Sequence, residues 1–566
     1  MKLSGAEIVW ECLVREGVDL VFGITGGAIM PTYDAILKYP QVRHIHVRHE
    51  QGATHMADGY ARATGKVGVV MVTSGPGATN TVTGLATAMI DSSPIVCIAG
   101  QAPTSVLGLD AFQETDIVGV TLPITKHNYL VTEIDELALT IREAFHIART
   151  GRPGPIVIDL PKDVQNQSTE FVFPEDDLVL PGYVVPSQAS DEQLQVALNL
   201  IHRAERPLIL AGNGVVLSGA TRELVAFAER TQTPIALTLL GRGGMPQNHP
   251  LCLGVMGMHG AAHVNTAIQH ADLLLAFGMR FSDRVTGNLK TYAPRASKIH
   301  VDIDPSELGK IVPVDVGIVG DLRAVLGQLL SLVEPQRHDA WLAQIGEWMQ
   351  DDRNHDFLNG EDNGQLSGAH VIHDIWEATN GQALIVTDVG QHQMLAAQYY
   401  PNQRPESVIT SGGLGTMGFG LPAAIGAKLG RPDDEVWAIV GDGGFQMTQA
   451  ELATAAQEAA KVNIAIINNG YLGMVRQWQE FFYEERYVAT PLRNPDFCML
   501  AKANGIPAMR VTSRAQAAEA VEWARSTEGP VLVDFIVERE DNVYPMVPSG
   551  ASLHEMIRRP KPPLEA

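Results

Sequence analysis

The chain has 566 residues, too many for one hydrophobic core and enough for roughly three to four domains of ordinary size. A composition of 45% hydrophobic and 19% charged residues excludes a disordered chain, and a formal net charge of −23 argues against nucleic acid as a partner. Cys12, Cys97, Cys252 and Cys498 form no C-x-x-C pair, which leaves a zinc site or disulfide framework without support and fits a reducing compartment.

The N-terminus, "MKLSGAEIVWECLVREGVDLVFG", reads as an amphipathic helix followed by a strand, not as a targeting segment. No apolar run is long enough to span a bilayer, so no membrane contact and a cytoplasmic location are expected. Strand-length apolar runs then recur between helical patterns. They include "VGVVMVTSG" (67–75), "PIVCIAG" (94–100), "GPIVIDLP" (154–161), "RPLILAG" (206–212), "ADLLLAFG" (271–278), "ALIVTDVG" (383–390), "EVWAIVGDGG" (435–444) and "VNIAIINN" (462–469). Continuous Val/Ile-rich strands separated by helices predict parallel sheets covered on both faces: an α/β chain with three doubly wound domains. Two polar stretches break the pattern. Domains are expected over 1–164, 191–335 and 366–545, joined by linkers at 165–190 and 336–365 and followed by an extended tail at 546–566.

The segment "VGDGGFQMTQAELATAAQEAAKVNIAIINNGYLGM" (440–474) places an aspartate among glycines that could cradle phosphate. A helix is expected from about Thr448 to Lys461. If it joins two neighbouring parallel strands, Asp442 and Asn469 arrive side by side at one sheet edge. A carboxylate beside an amide oxygen suits magnesium, which can hold a diphosphate supported by glycine N–H groups. The dinucleotide fingerprint G-x-G-x-x-G fails because position 446 is Gln, and "GYARATGKV" (59–67) has the wrong spacing for a P-loop.

"GDGGF…NNG" resembles the diphosphate-binding motif of thiamine-diphosphate enzymes. The likeness covers nearly the whole chain, in the order pyrimidine domain, central domain, diphosphate domain. It implies Mg2+ ligation by Asp442, Asn469 and the Tyr471 carbonyl. Cofactor contacts are implied at Gly390, Gln391 and His392 in "TDVGQHQ", at Gly415 and Met417 in "GGLGTMGFG", and at Gly443, Gly444, Met447, Leu472, Gly473 and Met474. A bulky residue matching Met417 props the cofactor into its bent form. Glu50, in "RHEQGA", matches the glutamate that hydrogen-bonds N1′ of the aminopyrimidine and so assists proton removal. The nearby loop "TSGPGATN" contributes Pro76 and Asn80. In such enzymes the two ends of one cofactor come from different subunits, which implies at least a dimer, as a homodimer or tetramer.

"VFGITGGAIMPTYDAI", "AFQETDIVG", "MRFSDRVTGN", "GMVRQWQEFFY" and "YPMVPSGASLHEMI" together resemble the large, catalytic subunits of the acetohydroxyacid (acetolactate) synthase family. The implied reaction decarboxylates pyruvate on thiamine diphosphate and joins the two-carbon unit to a second 2-ketoacid, pyruvate or 2-ketobutyrate. The products, 2-acetolactate or 2-aceto-2-hydroxybutyrate, lead to valine, leucine and isoleucine. By the same match Arg284 pairs the acceptor carboxylate and Trp478 shapes the acceptor pocket. Gly27, Ala28, Phe112, Gln113, Lys162 and Met258 line the substrate channel. Ser282 stands where a second acidic residue is expected before Asp283. FAD is implied in the central domain, with contacts at Arg152, Gly212, Gly214, His259, Gly278, Arg280, Asp302, Ile303 and Asp321. A separate regulatory small subunit is also implied. The alternatives are a pyruvate oxidase-type flavin enzyme, against which Arg284 and Trp478 argue, and a non-catalytic cofactor-binding subunit, against which Glu50, Asp442 and Asn469 argue.

Overall fold

The computed structural model describes residues 1–175, 178–359 and 364–560. It contains three six-stranded sheets, every strand parallel to its neighbours. The first runs Arg43–His46, Leu20–Gly23, Gly68–Val72, Ile95–Gln101, Ile156–Pro161, His127–Leu130 across the sheet. The second runs Cys252–Val255, Ile235–Leu237, Pro207–Ala211, Leu273–Phe277, Ser297–Asp302, Val316–Val319. The third runs Val408–Thr410, Leu384–Thr387, Val436–Gly441, Val462–Asn468, Val531–Ile536, Ala508–Val511. Central strands such as Gly68–Val72 and Val462–Asn468 are buried at every position, as unbroken apolar runs covered by helices on both faces require. Capping boxes at Ser4/Glu7 and Ser190/Gln193 start the first helices of the N-terminal and central domains.

The first and third domains share a core. Helix Glu50–Thr64 lies against helix Gly420–Gly430 at backbone contact. A Cβ on Gly59 would lie 2.0 Å from the Ala423 carbonyl oxygen, and one on Gly426 1.9 Å from that of Met56. Only glycine permits this approach, which carries Glu50 on a rigid helix braced by the C-terminal domain.

Four expectations change. The helix expected at 448–461 begins earlier, as Asp442–Thr448, and is interrupted by a 3-10 turn before Leu452–Gln457. Asp442 therefore occupies the first turn of a helix, where an acidic side chain is favoured. The expected linker at 336–365 contains a helix, Asp339–Arg353, anchored by buried Trp341 and Ile345; residues 360–363 lie outside the described residues. The expected linker at 165–190 includes Ser168–Glu170, paired antiparallel with Lys2–Ser4; its residues 176–177 also lie outside. The expected extended tail instead folds back onto the central domain, because Val547 and Leu553 bury in that domain's core and Met546 pairs with Ile557. Residues 561–566 of that tail lie outside the described residues. Among the described residues, no helix is long and apolar enough to cross a membrane.

Candidate active site

Strands Val436–Gly441 and Val462–Asn468 are adjacent and parallel, with Gly441 paired to Ile467. Asp442 and Asn469 thus leave the same sheet edge together. Asp442 is nearly buried, and its Oδ2 accepts from Gly470 N–H at 3.1 Å and from Asn494 Nδ2 at 2.7 Å. Burial pushes its carboxyl up to about 6, only partly opposed by these bonds. A buried carboxylate held this way calls for a counter-charge, so the donor set fits a hard cation. Asn469 Oδ1 accepts from Tyr471 N–H at 3.0 Å, which brings the Tyr471 peptide to the same corner.

A cleft opens beside this corner. It is lined by Gly390, Gln391, His392, Met417, Asp442, Gly443, Gly444, Asn469, Tyr471, Leu472, Gly473 and Met474, twelve of the residues expected at the diphosphate end. His392 is fully enclosed at the N-terminus of helix Gln391–Tyr399, and burial pushes its imidazole down to about 3. Its Nε2 is buried without a hydrogen-bond partner. An orphaned buried nitrogen is costly, and a polar group entering the cleft would satisfy it. The residues present therefore fit a diphosphate held through a divalent cation.

The opposite end of that helix is also fixed. The buried Arg242 guanidinium donates to the Ala396 and Tyr400 carbonyls, both at 2.9 Å, and to Asn402 Oδ1 at 2.8 Å. A cation at the C-terminus complements the helix dipole whose positive end faces the cleft. Asp388, just upstream, accepts from Gly418 N–H and Gly420 N–H at 3.0 Å and so ties the Met417 turn to the same wall. Burial pushes the Asp388 carboxyl up to about 6.

The cleft shares Gly390, Met417 and Met474 with a wider cavity of ≈ 500 Å³, also lined by Met258, His259, Gly278, Arg280, Arg284, Gly415 and Trp478. Arg284 is 58% exposed, and among the described residues its one ion pair is with the neighbouring Asp283, at 2.7 Å, so the guanidinium remains available to a second carboxylate. Trp478 stacks edge-on against Phe482. Ser282 occupies the position preceding the short helix Asp283–Thr286.

A third cavity, between the N-terminal and central domains, collects Arg152, Gly214, Gly278, Arg280, Asp302, Ile303 and Asp321. It adjoins the second through Asn213, Leu240, Gly278 and Arg280. Gly278 has φ +59°, and a Cβ there would lie 2.5 Å from Gly214 Cα. Gly212 packs on Gly278 and does not line this cavity. Burial pushes Asp302 up to about 6, and Arg152 is held by Glu307 at 2.9 Å. Lined by both charged and apolar residues, the space fits a dinucleotide such as FAD.

The remaining expected residues lie apart. Glu50 begins its helix beside Asn80, whose Nδ2 donates to the Glu50 carboxylate at 2.9 Å, with Pro76 on the same short turn. Gly27, Ala28, Phe112, Gln113 and Lys162 also belong to the N-terminal domain. Among the described residues, none from this domain lines the diphosphate cleft or the Arg284/Trp478 cavity. Phe112 is 90% exposed, and Met447, 57% exposed, lines neither space.

Sequence reasoning missed Asn494, Glu451 and Gln477. Asn494 holds Asp442, as above. Glu451 accepts from Arg48 N–H at 3.1 Å and His49 N–H at 2.9 Å and so pins the turn that leads into Glu50. Gln477 joins buried amides. None sits in a motif; only "MTQAEL" beside the glycine run hints at Glu451.

Three family models match along the chain: the N-terminal thiamine pyrophosphate-binding domain at residues 3–120, the central domain of thiamine pyrophosphate enzymes at 194–329, and the C-terminal binding domain at 388–535. The acetolactate synthase large subunit of Corynebacterium glutamicum is 47% identical, over 97% of this chain and 89% of that one. The chain belongs to the acetolactate synthase family of thiamine pyrophosphate enzymes. The acetolactate synthase large subunit of Lactococcus lactis is 46% identical, over 98% of this chain and 96% of the relative. An acetolactate synthase of Mycobacterium bovis is 46% identical over 98% and 91%. The cleft at Asp442 thus belongs to the thiamine pyrophosphate-binding domain of an acetolactate synthase-family enzyme.

Proposed function

We propose that the chain converts two 2-ketoacids, pyruvate with pyruvate or with 2-ketobutyrate, into 2-acetolactate or 2-aceto-2-hydroxybutyrate and carbon dioxide. The reading is carried by one observation: the diphosphate cleft shares Gly390, Met417 and Met474 with the cavity that holds Arg284 and Trp478. Asp442, Asn469 and the Tyr471 carbonyl would hold Mg2+, and His392 with the N–H groups near Gly390 and Gly443 would hold diphosphate oxygens. Thiamine diphosphate, when bound, supplies the nucleophilic carbon and the electron sink that decarboxylation requires. Glu50 would hold a proton at N1′ of the bound aminopyrimidine, and Asn80 keeps its carboxylate oriented. Met417, whose Cε lies beside Gly443, would support the bound cofactor. Arg284 pairs the acceptor carboxylate, and Trp478 sets the size of the acceptor pocket.

Because Glu50 and the diphosphate cleft do not meet within one chain, the active unit is a dimer or higher oligomer. A partner copy supplies Glu50, Gly27, Ala28, Phe112, Gln113 and Lys162 to the cleft. FAD would occupy the cavity around Arg152, Gly278 and Asp302 as a structural group, with His259 in the adjoining cavity. A regulatory small subunit is proposed because relatives are called large subunits.

The test is product analysis by mass, run in parallel with and without oxygen, with thiamine diphosphate, Mg2+, FAD and pyruvate, with and without 2-ketobutyrate. Acetolactate, diverted to acetohydroxybutyrate by 2-ketobutyrate, is expected. Oxygen-dependent acetate or acetyl phosphate with peroxide would overturn the reading in favour of an oxidase.

A further inference from the structure

Three side-chain amides run in series from the metal corner to the C-terminal segment. Asn469 Nδ2 donates to Gln391 Oε1 at 3.1 Å. Gln391 Nε2 donates to Gln477 Oε1 at 3.0 Å and to the Asp541 carbonyl at 3.0 Å. Gln477 is fully buried and pairs twice with the backbone of one residue: Val543 N–H donates to its Oε1 at 2.8 Å, and its Nε2 donates to the Val543 carbonyl at 3.0 Å.

An amide side chain can be turned end for end, but a backbone group cannot exchange donor for acceptor. The Val543 backbone therefore fixes which end of Gln477 faces Gln391. Gln477 Oε1 requires a donor from Gln391, and the Asp541 carbonyl requires the same one. Gln391 must then turn its oxygen to Asn469, so Asn469 gives its N–H2 to Gln391. Its oxygen is left at the corner shared with Tyr471 N–H and Asp442. Reversal of any one amide would set two donors or two acceptors against each other in a buried site, which is costly. The packing leaves no slack: a Cβ on Gly473 would fall 2.1 Å from Gln391 Oε1 and 2.5 Å from Asn469 Nδ2.

We propose that Gln477 is a positioning residue that transmits the fixed polarity of the Val543 backbone, through Gln391, to Asn469, and so presents the Asn469 oxygen to the divalent cation. The inference rests on the reading of Asp442 and Asn469 as cation ligands. Gln477 touches neither cation nor substrate; it acts two amides away. The C-terminal segment around 541–543 thereby becomes part of the cation site without contributing a ligand.

The experiment uses the full chain with Gln477→Met, which keeps volume and removes both hydrogen-bonding ends, and Gln477→Glu, which keeps the acceptor. Mg2+ binding is read by tryptophan fluorescence at a fixed excess of thiamine diphosphate, with melting temperature and circular dichroism of the cofactor-free chain alongside. Loss of a ligand's supporting partner lowers metal affinity by about 10–100-fold. That loss is expected for Gln477→Met and a smaller one for Gln477→Glu, with thiamine diphosphate restored to full binding at high Mg2+. Unchanged Mg2+ affinity in a folded variant overturns the inference. Asp442→Ala separates the two claims: if it binds Mg2+ like the parent, the cation site itself is misread. If it abolishes binding while both Gln477 variants match the parent, only the relay fails. If neither Gln477 variant folds, the parent decides, because coupling is reciprocal. Mg2+ with thiamine diphosphate must slow amide exchange at 541–546, and no slowing overturns the proposal.

Discussion

Asn80 donates its side-chain N–H to the Glu50 carboxylate across 2.9 Å, joining the turn after one strand to the first residue of the helix that follows another. The pair fixes a carboxylate at the edge of the N-terminal sheet, the end at which open α/β sheets bind ligands.

Replacing Glu50 by Gln removes the proton acceptor but keeps the shape. Turnover should fall by about 10²–10⁴-fold, the usual span for a general acid–base group. Thiamine diphosphate should still bind. Steady-state rates together with cofactor titration check this, and unchanged turnover would remove Glu50 from the mechanism. Asn80→Ala should cost less, roughly 10–100-fold, as for loss of one hydrogen bond to a charged group.

Asp442 links cation binding to pH. Burial raises its carboxyl to about 6 in the cation-free protein. A raised folded-state value means that the native state holds the proton more tightly than the unfolded chain does. Its stabilising contribution is therefore complete below the ordinary carboxylate range and is lost as pH rises through about 6. The cation supplies the missing counter-charge, and protons compete with it. The rise in melting temperature on adding Mg2+ with thiamine diphosphate should be small at pH 5 and larger at pH 7. A pH-independent rise, or Asp442→Ala behaving like the parent, contradicts the assignment.

Arg284→Ala should act on the acceptor ketoacid. Loss of a charge-assisted contact of about 1.5–3 kcal/mol should raise the concentration of second substrate required by roughly 10–100-fold. Trp478→Leu should leave acetolactate formation measurable and shift the product ratio away from 2-aceto-2-hydroxybutyrate. Competition assays with mixed ketoacids read both effects.

Gly278→Ala should fail in the third cavity. The left-handed φ and the 2.5 Å approach to Gly214 Cα together forbid a side chain. A visible flavin spectrum that survives purification of the parent should be lost or weakened in the variant. Equal flavin content in both would place the flavin elsewhere.

Much of this site could be read from sequence because it depends on strand ends. Asp442 and Asn469 follow two apolar runs, and adjacent parallel strands must deliver them to one edge. The misplaced helix start has a local cause. Glycine propensity reads Gly441–Gly444 as loop, whereas Asp442 and its glycines are well suited to a first helical turn whose N–H groups face an anion site. The tail misled in another way: Pro548, Ser549 and Gly550 suggest extended chain, but Val547 and Leu553 find the central domain's core only in three dimensions. Asn494, Glu451 and Gln477 act through neighbours far away in sequence, and a lone Asn, Glu or Gln carries no pattern. The separation of Glu50 from the diphosphate cleft is likewise a fact of tertiary geometry, invisible to motif spacing.

Phe112, left 90% open to solvent on the single chain, bears on how this enzyme is handled in a tube. If a second copy covers that ring and completes the cleft, specific activity is a function of protein concentration. Dilution would then silence the enzyme without unfolding it, and cofactor bridging two chains would slow that loss by mass action.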